Sequence, residues 1–344
     1  MNLKIKIRHK RVKNKILNTF TRFSLSALVV SLFFYAAPIF INFADKNFNN
    51  KEFTNNSKNI LNKTLNKGKT FEEEDAWVQS EEIDLLYDIL EENNSEINLV
   101  RYTTSEINAL FKEVKYDLEE IRDTKLVKPI DIGLLPNEIK NIDNTKKRKE
   151  MFIKIVLPLI VKENNKIRID RKRLFAILSK NSNTDIEKKW LEKKYKQYGI
   201  PSKDLSVLKI RMDIIPVSLA IAQAAKETGW GTSRFAQQGN ALFGQWTWSG
   251  EGLKPKEAEK NEGHKVMKFN ILQASVRAYQ RNINTHSSYQ DFRLARAKLR
   301  DLGESLDSMI LSSYLDKYAE TGNQYVKVLQ KIIAQNNLKD FDDA

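Results

Sequence analysis

From Val217 to Ala225 the chain is apolar at nearly every position, with only Ser218 and Gln223 polar. A helix that is apolar all round is a buried one. Pro216 suits its first position, where a missing N–H costs nothing. Gly229 supplies a natural stop. Apolar spacing predicts further helices over 145–163, 170–179, 184–197, 203–211, 272–286, 289–301, 304–316 and 323–336. Asp204 and Ser305 are the expected caps of two of them. Between 245 and 270 the pattern changes. AsnGluGly at 261–263 reads as a hairpin tip, with HisLysValMetLysPhe as the returning strand. Trp246 and Trp248 alternate as they would on a strand, so both point to one face.

The amino terminus carries a different pattern. Lys4, Lys6, Arg8, Lys10, Arg11, Lys13, Lys15 and Arg22 precede an uncharged run of 22 residues, Phe23 to Ala44. About 20 apolar residues suffice to cross a bilayer. No acid appears before Asp45, so the positive-inside rule keeps the amino terminus cytoplasmic and exports the chain beyond the run. Cleavage after Ala37 or Ala44 would put Tyr35 or Asn42 where signal peptidase wants a small residue, so an uncleaved anchor is expected. The expected order is a basic tail (1–22), a transmembrane anchor (23–44) and a polar, Asn-rich tether (45–70). An acidic helical segment (71–126), a catalytic domain (127–338) and a short tail (339–344) complete it. Ile83, Leu85, Leu86, Ile89 and Leu90, then Ile107, Leu110 and Phe111, sit at helical spacing in the acidic segment.

The 344 residues carry a net charge of +14, unevenly spread. Residues 71–126 hold 17 acids against 5 bases, and residues 127–344 hold 39 bases against 25 acids. A basic surface attracts polyanions, but export and the absence of a recognition motif argue against nucleic acid. A polymer with carboxylate-bearing stems suits the same charge. Cysteine is absent, which excludes thiolate nucleophiles and thiolate metal sites. His9, His264 and His286 are scattered, so zinc is not indicated, and His286 reads as a capping or packing residue. No phosphate- or dinucleotide-binding glycine pattern occurs, so no cofactor is expected.

The candidate chemistry lies at the end of the apolar helix. Glu227 falls in its last turn, where the helix dipole repels a second negative charge. Burial pushes the same way, so this carboxyl is expected to keep its proton to higher pH than a free glutamate. A carboxyl protonated near neutrality is what a general acid for glycosidic cleavage must be. Trp230, Phe235, Phe243, Trp246 and Trp248 offer rings for sugar faces, and Asn240 and Gln245 offer amides for hydroxyl or acetamido groups.

AlaGlnAlaAlaLysGluThrGlyTrpGlyThrSerArgPheAla and GlyAsnAlaLeuPheGlyGlnTrpThrTrp resemble the Bax-type glucosaminidases of glycoside hydrolase family 73. The likeness extends through SerValArgAlaTyr (275–279), AsnIleAsnThrHisSerSerTyr (282–289) and TyrAlaGluThrGlyAsnGlnTyr (318–325), and covers roughly 127–338. It implies an α+β fold, mostly α, lysozyme-like with a small β-lobe over a cleft. It also implies hydrolysis of the β-1,4 bond after N-acetylglucosamine in peptidoglycan. Glu227 falls on the family's catalytic acid, and Tyr318 on a tyrosine lining the cleft. A second acid is expected shortly before the hairpin turn, with Glu259 the nearest match and Glu257 next. The substrate acetamide is an alternative to it, as in substrate-assisted glycosidases.

The expected protein is thus a membrane-anchored glycosidase acting on glycan strands outside a bacterial inner membrane. Glu227, Glu259 and Tyr318 carry the chemistry; Asn240, Phe243, Gln245, Trp246, Trp248 and Tyr325 hold the glycan. A lytic transglycosylase and a non-catalytic wall-binding protein are the other readings.

Overall fold

Among the described residues, several helices start where a short polar side chain accepts from an N–H that has no partner within the helix. Thr103 and Glu106 form a reciprocal capping box, with Glu106 N–H donating to Thr103 Oγ1 at 3.2 Å and Thr103 N–H donating to Glu106 at 2.7 Å. They open helix α1, Thr104–Glu113. Asp117 accepts from Glu119 N–H at 2.9 Å and opens α2, Leu118–Thr124. The computed structural model describes residues 100–247, 252–253 and 265–344. The expected tail, anchor and tether, most of the acidic segment, and Trp248, Glu257 and Glu259 lie outside the described residues.

Helices α1 and α2, from the acidic segment, pack into the core of the domain that follows them. Ile107, Phe111, Leu118 and Ile121 are buried in the same apolar cluster as Phe152, Leu219 and Tyr279. Arg122 then ties α2 to the chain end. It donates to the carbonyls of Asn336 and Asn337 at 3.3 and 3.2 Å and covers the Phe341 ring at 4.6 Å.

Helix α3, Thr145–Leu178, is continuous where two helices were expected. The polar residues that break its apolar pattern are buried against helix α8, Leu272–Thr285. Asn164 donates to Ile215 O and accepts from Gln280 Nε2, both at 2.8 Å. Glu163 accepts from Gln273 Nε2 and Lys166 Nζ, both at 2.9 Å. Partnered in this way, buried polar groups no longer interrupt the helix. Beyond them, α3 packs with α4, Asp185–Gln197, and α5, Leu205–Arg211, around a second core of Leu174, Ile177, Leu191, Tyr195, Leu208 and Met212. Asp204 caps α5 as expected, accepting from Ser206 N–H at 2.6 Å.

Helix α6, Val217–Thr228, is the buried helix of the sequence pattern. It runs between α3, the helix α11 (Asn323–Gln335) and the terminal 3-10 turn Leu338–Phe341. The segment leading into it is fixed by Arg296 on α9, Gln290–Asp301. That fully buried guanidinium donates to the carbonyls of Ile210, Asp213 and Ile214 at 3.0 Å and of Arg211 at 3.4 Å. The buried Asp213 carboxylate pairs with Arg300 at 3.1 Å and Arg171 at 3.6 Å. Part of the positive charge is therefore internal and does not face a ligand.

After α6 come α7, Arg234–Gly239, and a three-stranded antiparallel sheet. Its strands are β1 (Trp246–Thr247), β2 (Gly252–Leu253) and β3 (Lys265–Met267), with β3 central. Trp246 pairs with Val266 and Leu253 with Val266 from the other side. The returning strand expected at 264–269 is this central strand.

Two carboxy-terminal expectations are corrected. The helix expected over 304–316 is only α10, Ser308–Ser312, and its cap is Asp307 rather than Ser305. The Asp307 carboxylate accepts two N–H groups, from Met309 at 2.7 Å and Ile310 at 3.1 Å. The tail expected at 339–344 belongs to the core. Leu338 and Phe341 are fully buried, and the Asp342 carboxylate accepts both Ser218 N–H and Ser218 Oγ–H at 2.8 Å. A carboxylate at a helix N-terminus meets unpaired N–H groups and the positive end of the dipole. The last residues thus cap α6.

Candidate active site

Glu227 sits in the last turn of α6, half-buried, one residue before Thr228 and two before the left-handed Gly229. The exposed neighbour Lys226 and a hydrogen bond from Tyr325 favour its charged form, but burial outweighs both and raises the pKa of the carboxyl above the usual glutamate value. That is the direction the sequence pattern predicts.

The carboxyl rests on the backbone of Gly244. A Cβ at that position would stand 3.2 Å from Glu227 Oε2, and the residue holds φ +63°. Glycine is required there twice over, for the left-handed backbone and for the close approach. The segment around it is fixed from both ends. Asn240, itself left-handed at φ +48°, donates to Phe269 O at 2.8 Å and to Asn270 O at 3.1 Å. Ser275 Oγ accepts from Leu242 N–H at 2.9 Å, and Gln245 O accepts from Met267 N–H at 2.8 Å. The Tyr318 hydroxyl donates to Phe243 O at 2.8 Å. The carbonyl it grips belongs to the residue before Gly244.

A layer of phenols lies behind the acid. Tyr318, from the 3-10 turn Asp316–Tyr318, stacks on Tyr325 of α11 with centroids 5.5 Å apart and planes 11° from parallel. Tyr325 is 2% exposed and hydrogen-bonds Glu227. Burial first, and the Glu227 charge next, push its pKa far above the ordinary phenol range. Gln223, one turn before Glu227, donates from Nε2 to the Tyr325 hydroxyl at 3.2 Å. Its Oε1 accepts from Tyr279 at 2.6 Å.

Several expected glycan contacts have other employment. Phe243 is 1% exposed and stacks face to face on Tyr279 at 3.8 Å, so it is core rather than a sugar platform. Asn240 is buried and spends its amide N–H groups on two backbone carbonyls. Tyr325 is behind the acid, held by Gln223, Tyr318 and Glu227. The apolar surroundings that make these residues good ring and amide neighbours also close them off from solvent. Gln245 is half-buried immediately before β1, and only the backbone of Trp246 is described. Trp230 is partly buried, with Phe152 edge-on at 5.9 Å and Lys149 over it at 4.9 Å. His286 caps as expected, accepting from Ser288 N–H at Nδ1.

Sequence reasoning missed Gly244, Gln223 and Tyr279. The signal was present for Gln223: it is a lone polar residue four positions before Glu227, hence on the same helix face. Nothing local marked Tyr279, whose partner lies 56 positions away.

Comparison with known proteins adds three findings. The Glucosaminidase family, described as mannosyl-glycoprotein endo-beta-N-acetylglucosaminidase, matches residues 202–338. Protein bax of Escherichia coli (strain K12) is 30% identical over 195 residues, spanning 55% of this chain and 70% of that protein. The catalytic domain of the autolysin Auto from Listeria monocytogenes is similar at 20% identity and a TM-score of 0.27, over 50% of this chain and 97% of that one. A likeness that loose bears on nothing further.

Proposed function

Since the chain belongs to the Bax-type glucosaminidases, a family of glycoside hydrolases, we propose that it hydrolyses peptidoglycan, cutting the β-1,4 bond after N-acetylglucosamine with Glu227 as general acid. One observation carries the assignment. A half-buried carboxyl, its pKa raised by burial, rests on a left-handed glycine two residues before a strand that opens the β-lobe. In this reading Glu227 protonates the departing sugar oxygen as the bond breaks. The second role falls to Glu259, with Glu257 next, or to the substrate's own acetamide. Tyr318 holds the segment beneath the acid through Phe243 O, and Gln245, Trp246 and Trp248 border the glycan. The overall architecture in this proposal is lysozyme-like, with α6 as the acid-bearing helix.

The proposed setting is the outer side of a bacterial inner membrane, with residues 23–44 as anchor and the catalytic domain reaching the wall through the tether. Among the described residues no helix is long and apolar enough to cross a membrane.

Two measurements test the reading. Glu227→Gln should abolish clearing in a peptidoglycan zymogram while leaving the thermal melt near wild type. Clearing equal to wild type would remove Glu227 as the acid, and a wild type that clears nothing would favour a wall-binding protein. Mass spectrometry of the products should show new N-acetylglucosamine reducing ends; anhydromuramyl ends would mean a lytic transglycosylase instead.

A further inference from the structure

Glu227 carries two carboxyl oxygens, and a general acid works only if the proton is on the one that faces the substrate. A hydrogen-bonded chain lies behind the carboxyl. Tyr279 on α8 donates to Gln223 Oε1 at 2.6 Å; Gln223 Nε2 donates to the Tyr325 hydroxyl at 3.2 Å; Tyr325 bonds Glu227. Tyr279, Gln223 and Tyr325 are at most 2% exposed.

The direction of this chain is fixed at its far end. A phenol has one proton to give. With the amide as found, the Tyr279 proton is taken by Gln223 Oε1. Reversing the amide would aim Nε2 at this buried phenol and take that acceptor away from its proton, at the cost of an unsatisfied buried donor. So Nε2 points at Tyr325 and fills a lone pair of its oxygen. The Tyr325 proton is then left for Glu227, and the carboxyl oxygen that receives it is an acceptor.

We propose that Gln223, oriented by Tyr279, is a positioning residue that sets the direction of the Tyr325–Glu227 hydrogen bond and thereby confines the acidic proton of Glu227 to the oxygen turned away from Tyr325. With the amide reversed, Tyr325 would give its proton to Gln223 and accept one from Glu227, holding the acidic proton on the wrong side. The inference rests on Glu227 being the general acid. The charged and titratable groups facing that carboxyl among the described residues are Tyr325 and Tyr318 from the carboxy-terminal segment and Lys226 from its own helix.

The test compares full-length wild type with Tyr325→Phe, Tyr279→Phe and the double variant, measuring hydrolysis of soluble glycan strands against pH. Each change removes one hydroxyl and keeps the ring, so the Phe243–Tyr279 stack remains. A donor to the carboxylate favours its charged form, so losing the Tyr325 hydroxyl should move the alkaline limb of kcat upward by about one pH unit. Tyr279→Phe frees the amide to reverse and should move the limb the same way, with kcat down several-fold and KM unchanged. In the Tyr325→Phe background, Tyr279→Phe should move it no further, because its effect passes through Tyr325. An unmoved or lowered limb in Tyr325→Phe, or a Tyr279→Phe shift that persists in the double variant, overturns the proposal. If the Glu227→Gln enzyme keeps full activity, the general-acid reading has failed instead.

Discussion

The contact between Asp342 and the start of α6 makes a quantitative prediction about stability. The Asp342 carboxyl is buried, and burial raises its pKa from 3.8 to about 6, although Ser218 N–H and Oγ–H both donate to it and favour the charge. An acid whose folded pKa exceeds its unfolded one binds its proton more tightly when folded. That stabilisation is fully present below the unfolded pKa and is lost as pH rises through the folded value. A shift of about two units corresponds to roughly 3 kcal/mol when complete, of which about 2 kcal/mol develops between pH 4 and 7. Asn at this position keeps an acceptor for Ser218 N–H but cannot ionise. The perturbation is therefore Asp342→Asn, assayed by urea unfolding at pH 4 and pH 7 against wild type. The stability difference between variant and wild type should move in the variant's favour by about 2 kcal/mol across that interval. Other carboxyls titrate in both proteins and cancel in the difference. A difference that stays constant within about 0.5 kcal/mol would refute the claim that folding removes Asp342 from water, since a pKa unit is worth about 1.4 kcal/mol. It would also undercut the cap as a contributor to α6.

Two substitutions probe the glycine beneath the acid and the buried guanidinium. Gly244→Ala puts a methyl 3.2 Å from Glu227 Oε2 on a backbone at φ +63°. Glycan hydrolysis should fall more than tenfold, while the melting temperature drops only by the equivalent of about 1–2 kcal/mol of backbone strain. Arg296→Met leaves the carbonyls of Ile210 and Ile214 without the guanidinium donor and removes a cation from beside the Asp213 carboxylate. The loss should be about 3–5 kcal/mol by denaturant titration, the scale for breaking a buried charged network; a loss below about 1 kcal/mol, the worth of an ordinary hydrogen bond, would mean that water replaces the guanidinium.

Local signals in the chain were enough to locate the acid-bearing helix, its stop at Gly229, the raised pKa of Glu227, the returning strand β3 and the cap at Asp204. Each depends on neighbours within a turn or a hairpin: apolar continuity, a residue free to adopt positive φ, a carboxylate beside unpaired N–H groups. The tertiary structure decided what depends on distant partners. Helix α3 runs unbroken because Glu163 and Asn164 find partners on α8, more than 100 positions away. The acidic helices and the last residues proved part of the core because Ile107, Phe111 and Phe341 meet apolar residues from the middle of the chain. Phe243 and Tyr325 read as glycan contacts in one dimension, yet folding placed them behind the acid, since a ring's surroundings are set by what packs on it. The direction of the proton on Glu227 is of the same kind. It depends on a phenol 52 positions downstream, which no local pattern encodes.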